Sequence, residues 1–460
     1  MHIKFNLEDF GLTYGNKTIK INAAGRGFSN SPFRTVDYNS APRVVPAIGS
    51  ISVYNLIDAV TSVEVYVDGT LQLTQPRAAG ATNPFIIDLS GLSIEEGTQH
   101  TLYVKALGEG VPTNQSTTVM YGATPIYGVR WVNDNSTEME RTDDAVGMSF
   151  AIQSSTGAIA SDFNSVFPWD EARNVQDGSN EMKSLPGMWF RVGTDDNGDI
   201  NSVAVTKIPS GDGNWYYVDP FLYGRYGASA SGSGLASVSG VSRLANTTIE
   251  GFRTKARATG EGYFQLDLYH YWVMTFLWWI EWATKNSASI MEGKTSATGS
   301  SIVQTGGTDS VSTPSGFNPT TKQMRFHEIE DFIGNQMEFV DGIWGNTGNK
   351  IWVCKDPLKF KNGTTDYEQV SYTSNANGNR ITAIGWDHDH PFMAYPTKTV
   401  GSDYTKGFCD GGYLVSSSYP VLYYGSHFNS SGASYGRCYF SDYSASSSSG
   451  IFGGRLLKTP

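Results

Sequence analysis

Short runs in which apolar and polar residues alternate dominate the first 123 positions. Ser62-Val-Glu-Val-Tyr-Val67 and Thr101-Leu-Tyr-Val-Lys105 alternate for part of their length, and Ser50-Ile-Ser-Val-Tyr54 is rich in β-branched and aromatic side chains. A period of two turns one face of each run toward a core. Asp68-Gly69 and Glu96-Gly97 separate the runs as turns. The pattern predicts a small β-sandwich over residues 1–123, an attachment or spacer domain that offers no catalytic constellation.

Past Ile126 the texture changes. Tyr127-Gly-Val-Arg-Trp131 and Leu185-Pro-Gly-Met-Trp-Phe-Arg-Val192 are aromatic, strand-like runs with loops between them, which makes 124–250 a β-rich intermediate region. Residues 228–240, rich in glycine and serine, and the polar residues 294–316 read as long loops, a feature that in compact regions tends to be functional or mobile. Two helices are predicted. One spans 266–284, where the density of aromatics requires burial on most faces. Its apolar stretch Tyr271–Ile280 is bracketed by Asp267, His270 and Glu281, too short for a membrane crossing of roughly 20 residues. The other spans 326–337, with Phe326, Ile329, Ile333 and Met337 at helical spacing and His327, Glu328, Glu330 and Asp331 on a wet face. Short strands follow at 349–353, 381–386 and 412–415, and then a terminal hairpin. The expected fold class is mainly β with an α+β part: an N-terminal β-sandwich, then a domain over 251–460 with two helices and irregular strands.

Composition adjusts this picture in three ways. At 460 residues the chain has room for about two to four domains and a large core without metals or disulfides. A net charge of -11 with no concentrated basic stripe argues against nucleic acid as a partner. Charged residues make up only 17%, against the usual about 25%, so uncharged polar groups must cover much of the surface. Cys354, Cys409 and Cys438 do not look like a disulfide framework, although one pair stays open. Met1-His-Ile-Lys-Phe-Asn6 runs straight into polar sequence with no signal peptide, so synthesis in a reducing cytoplasm is expected.

The last forty residues carry ten serines, five tyrosines, one aspartate and no glutamate, the mixture of rigid amphipathic and adaptable side chains that antibody-like binding surfaces use. In Arg437-Cys438-Tyr439-Phe440-Ser441 the odd positions can face outward while Cys438 and Phe440 face a core. A recognition surface at about 421–449 is expected, with contacts from Tyr423, Tyr424, His427, Phe428, Asn429, Ser434, Tyr435, Arg437, Tyr439, Ser441 and Tyr443. The tyrosines and Arg437 would carry most of the energy.

From Ile126 onward the chain resembles the C-type-lectin-fold variable proteins of phages and bacteria that diversity-generating retroelements alter near their C-termini. The resemblance rests on Tyr127-Gly-Val-Arg130 with Asp143-Asp-Ala-Val-Gly147, Phe276-Leu-Trp-Trp-Ile-Glu-Trp282 with Asn286-Ser287, Thr305-Gly-Gly-Thr-Asp309 with Pro314-Ser-Gly316, and Gly334-Asn-Gln-Met-Glu-Phe-Val-Asp-Gly342. The last is also similar to a signature of the formylglycine-generating-enzyme branch of that fold, departing from it at Gln336, Met337 and Phe339. The resemblance implies a C-type-lectin-like receptor-binding domain over 251–460. Its core would include Trp278, Trp279, Trp282, Asn335, Phe339 and Arg455, and the closing strand would be Gly453-Gly-Arg-Leu-Leu457. It implies a phage tail-tip or fibre protein in the virion that binds a host-cell surface protein or glycan without catalysis. Other tail proteins would be its neighbours, and a homo-oligomer such as a trimer would give avidity.

Several constellations compete with that reading. Asp387-His388-Asp389-His390 gathers four potential metal ligands, but a strand would point them to opposite sides. His327-Glu328 lacks the second histidine of a zinc-hydrolase helix. Trp131-Val-Asn133-Asp134 echoes a lectin calcium element without its partner motif. Gly432-Ala-Ser434-Tyr-Gly436 has the letters of a nucleophile elbow without the strand–turn–helix context. No metal, cofactor or membrane insertion is therefore expected. Two alternatives remain: a bacterial surface-displayed variable ligand-binding protein, or an enzyme. The enzyme would be either a cysteine oxidase using Cys409 and Cys438 or a carbohydrate-active protein using Glu338 and Asp341.

Overall fold

A computed structural model describes residues 2–3, 21–22, 43–47, 50–54, 56–78, 81, 84–92, 100–111, 116–121, 124–153, 156–209, 214–295, 301–316, 323–346, 349–375, 379–401, 405–412, 421–429, 437 and 440–459. The chain divides into two units: 1–125 with 206–213 and 460, and 126–205 with 214–459.

In the smaller unit, alternation becomes two antiparallel sheets. One orders Thr70–Pro76, Ser62–Val67, His100–Leu107 and Ser116–Tyr121, and the other Arg43–Ala47, Ser50–Tyr54 and Phe85–Asp88. Ile51, Val53, Val63, Val65, Ile87, Leu102 and Val104 point from both sheets into one core. Asp68 and Gly69 both take positive φ in the two-residue turn that joins Val67 to Thr70, the backbone twist that tight hairpins favour.

The larger unit is α+β: two α-helices among several antiparallel sheets. Residues 124–250 and 251–460 share these sheets. Arg455–Lys458, near the end of the chain, lies between Phe221–Gly227 and Tyr263–Gln265, with Asn180–Leu185 and Arg173–Asp177 beyond. A seven-stranded sheet gathers Val421–Tyr424, Met337–Val340 and Phe440–Tyr443. Helix α1, Ile249–Thr259, is capped by Thr248, whose hydroxyl accepts from the Gly251 amide. It escaped the pattern reading, although Ile249, Phe252 and Ala256 sit on one helical face and are buried. Helix α2, Leu268–Trp282, is capped by Asp267 and ends at Ala283 in the left-handed region. Every α2 residue except Tyr269 is buried, as its aromatic content demands. No helix among the described residues is long and apolar enough to cross a membrane.

The helix expected at 326–337 does not form. Arg325–Phe326 pairs with Ile329–Glu330 in a tight hairpin whose turn residues, His327 and Glu328, both have positive φ. Phe326, Ile329, Ile333 and Met337 are buried all the same, so helical spacing marked the inward side chains of an irregular segment. The expected wet face is also corrected, since His327, Glu330 and Asp331 are buried. Residues 228–240 are not one long loop either: Ser229–Ser231 and Gly234–Ala236 form a hairpin.

Candidate functional site

Three residues of the expected C-terminal recognition surface, Tyr423, Tyr424 and Arg437, face the core. Tyr423 is buried between Phe339 and Phe452, with ring centroids 4.0 and 4.1 Å away. Tyr424 is buried and donates its hydroxyl to Glu338 Oε2 at 2.6 Å. Arg437 is fully buried. Its guanidinium lies over the rings of Phe332, Tyr271 and Tyr424, and its Nε donates to Thr275 Oγ1 at 3.1 Å. These three are therefore corrected from contact residues to framework: Arg437 and Tyr424 meet in an aromatic–guanidinium stack, and Tyr423 is enclosed by Phe339 and Phe452. Tyr443 is half-buried against Tyr423 and Phe452. His427 and Phe428 are half-buried and Asn429 is exposed, while Ser441 pairs by its backbone with Tyr423. Ser434, Tyr435, Cys438 and Tyr439 lie outside the described residues.

Beneath this surface lies a buried ion network. Arg455 donates to both oxygens of Glu338, at 2.7 and 3.0 Å, and to the carbonyls of Gly224, Glu330 and Asp331. Arg243 bridges Glu338 and Asp331 at 2.8 and 3.3 Å. Burial would raise the Glu338 pKa, but Arg455 and Arg243 hold it below the ordinary carboxylate value. Among the described residues Glu330 forms no ion pair, and burial, reinforced by neighbouring Asp331, pushes it up to about 7. Asn335 donates to Asp331 at 2.7 Å, so it too belongs to the network. Trp278, Trp279, Trp282 and Phe339 are buried nearby or along α2. Asp341 is locked to Arg253 by two bonds of 2.8 and 2.9 Å. Both Glu338 and Asp341 are thus spent on internal ion pairs, which removes them as an acid–base pair for carbohydrate chemistry.

The other constellations resolve into bracing. His390 bridges Asp387 and Glu368, each at 2.9 Å, while Asp387 also accepts from the Ser371 and Asp389 amides. His388 meets the Tyr216 hydroxyl. Among the described residues no group of three or more His, Cys, Asp or Glu is placed to hold a metal ion. His327 stacks on Trp169 at 3.6 Å, and its Nε2 lies 2.6 Å from Glu281. Burial holds the His327 pKa down. Cys354 and Cys409 are buried, and burial raises the Cys354 thiol pKa; Cys438, the other member of the expected oxidase pair with Cys409, lies outside the described residues.

Near Trp131 the cation is the protein's own. Lys285 donates to the Asn133 and Asp134 carbonyls at 2.8 and 3.4 Å and lies between the Trp131 and Phe408 rings. Burial lowers its pKa from 10.5 to about 8. Between those values the unfolded chain keeps a proton that the folded chain releases, so stability rises with pH across that window. We expect Lys285→Met to abolish a rise of about 3 kcal/mol between pH 8 and 10.5. Urea unfolding of both proteins over that range measures it, since tyrosine titration is common to both. Parallel pH profiles would refute the assignment.

One cavity, of about 310 Å³, has a lining suited to a small polar ligand. Two turns and a helix end build it. Gly178-Ser179 joins strands paired at Asp177 and Asn180, Gly232-Ser233 joins strands paired at Ser231 and Gly234, and α1 contributes Ala258 and Thr259. Gly178 and Gly232 adopt positive φ, and a side chain on Gly234 would meet the Thr259 backbone at 3.1 Å. Tyr263 donates to Asp177 Oδ2 at 2.7 Å, and Lys458 donates to the same oxygen at 2.5 Å. Asn180 donates to the Tyr263 hydroxyl at 3.2 Å and accepts from the Ser237 amide at 3.0 Å. Burial, then the Asp177 carboxylate, raises the Tyr263 pKa, keeping it a neutral donor. None of these residues was singled out from sequence as a site residue, although Ser231, Ser233 and Gly234 lie in the 228–240 stretch read as a long loop. Asp177-Gly178 and Ser231-Gly-Ser-Gly234 were the available signals, but they mark turns rather than the meeting of turns.

No family profile matches the chain, and no curated protein matches it. Among solved structures, PvdO from Pseudomonas aeruginosa is similar at 14% identity with a TM-score of 0.28, covering 63% of this chain and 98% of that one. This match stands against the expected phage tail-tip or fibre protein with no enzymatic activity, and that expectation is withdrawn. At such identity and TM-score the likeness assigns no activity in its place.

Proposed function

We propose that the chain is a carbohydrate-active protein that recognises a hydroxyl-rich small molecule of the saccharide class. The cavity at Asp177, Asn180, Ser231, Ser233, Thr259 and Tyr263 carries the reading. Its walls combine serine hydroxyls and a carboxylate on fixed turns, and a sugar ring presents matching donors and acceptors. A volume of about 310 Å³ falls at the small end of the range for ligand pockets. The C-type-lectin-like resemblance of the larger unit remains part of the proposal as a description of its scaffold.

The test is isothermal calorimetry of the whole protein against a panel of neutral mono- and disaccharides, beside Ala258→Trp. Ala258 is exposed at the rim, so the indole fills the cavity without entering the core. We expect saturable binding by the parent and a loss of at least about tenfold in the variant. If no saccharide binds, or if the variant binds equally well, the proposal fails.

A further inference from the structure

Building on the saccharide reading, we infer that the cavity selects by charge: it takes neutral sugars and sugars bearing an ammonium group, and rejects uronic acids and sugar phosphates. Asp177 makes the selection. Its Oδ2 already accepts from Tyr263 and Lys458, at 2.7 and 2.5 Å. Its Oδ1 takes no protein donor among the described residues. A ligand therefore meets a carboxylate oxygen that lacks a donor.

A vicinal pair of hydroxyls or an ammonium group supplies the donors that oxygen lacks. A carboxylate or phosphate group brings further acceptors and a like charge, and it would strand both sides without a proton between them. Lys458 does not reverse this, because its ammonium is held on Oδ2 and over the Tyr263 ring at 4.9 Å, outside the residues that line the cavity. Lys458 and Tyr263 are positioning residues: they orient the carboxylate so that one oxygen is left for the ligand. Ser231 and Ser233 can donate or accept, so they fit either class and do not discriminate.

The experiment compares a neutral hexose, the matching 2-amino sugar and the matching uronic acid at pH 7 by calorimetry, with the full-length protein and Asp177→Asn. The parent should bind the neutral and amino sugars, and the uronic acid at least about tenfold more weakly. In Asp177→Asn the amino sugar should lose its advantage and the uronic acid should gain affinity. Lys458→Met, which keeps the carboxylate and removes the cation behind it, should sharpen the preference for the amino sugar; it also serves if Asp177→Asn fails to fold. Equal binding of the uronic and neutral sugars by the parent, or an unchanged order in a folded variant, overturns the charge selection while leaving saccharide recognition standing. If none of the three sugars binds, the cavity is not a saccharide site and both readings fall.

Discussion

Replacing Arg455 with methionine should destabilise the larger unit by about 3–5 kcal/mol, the range measured when one partner of a buried ion pair is removed. Arg455 is fully buried, and its guanidinium serves five acceptors: two oxygens of Glu338 and the carbonyls of Gly224, Glu330 and Asp331. Methionine matches the stem but supplies no donor. Glu338 would keep only Arg243 and the Tyr424 hydroxyl, and three carbonyls brought together from separate strands and turns would lose a common donor. The bonds also carry topology, since they tie the closing strand Arg455–Lys458 to the segment around Glu330 and Asp331 that holds no helix. Arg455→Lys should recover only part of the loss, because a single ammonium cannot span the forked geometry. Urea unfolding followed by tryptophan fluorescence measures both variants. A cost below about 1 kcal/mol for Arg455→Met would show that the network adds no net stability.

That same segment explains where sequence reading stops. The strand Ser62–Val67 was legible because alternation is local: each apolar residue reports its own side of one sheet. Helix α2 was legible because a long aromatic run between Asp267 and Glu281 has few ways to be buried. Residues 326–337 show helical spacing, yet His327, Glu328, Asp331 and Asn335 all adopt positive φ, conformations unfavourable for side chains other than glycine. They are held by partners remote in sequence: Glu281 for His327, Lys183 for Glu328 and Arg243 for Asp331. Local propensity does not contain those partners. Tyr423, Tyr424 and Arg437 failed for a different reason. Tyrosine and arginine are amphipathic, so composition cannot separate a binding surface from an internal stack such as Arg437 over Phe332. The cavity was hidden because its walls are turns from three hairpin and helix ends that meet only in the folded chain.

Trp279→Ala should cost about 3–5 kcal/mol, the usual loss for a buried tryptophan, and the packing around it says why no relief is available. Its ring centroid lies 5.1 Å from Trp131, 5.4 Å from Phe408, 5.6 Å from Phe276 and 5.7 Å from Trp272. Trp272 and Phe276 are fixed on α2 itself, while Trp131 sits on a sheet strand, so neighbours cannot collapse into the space without moving whole elements. A comparison isolates packing from hydrogen bonding. The Trp279 indole nitrogen is buried with no acceptor among the described residues, whereas Trp272 donates to the Ala394 carbonyl at 2.7 Å. Phenylalanine at 279 therefore removes area and relieves an unsatisfied donor; at 272 it strands a buried carbonyl, a cost of about 1–3 kcal/mol in addition to the lost area. Trp272→Phe should consequently be the more damaging of the two conservative changes, with Trp279→Ala worse than Trp279→Phe, when chemical denaturation midpoints are compared at constant m-value. If Trp279→Ala is stable, α2 is not the pillar on which the sheets of the larger unit rest; if the order of the two phenylalanine variants is reversed, the Ala394 bond contributes less than the ring contacts.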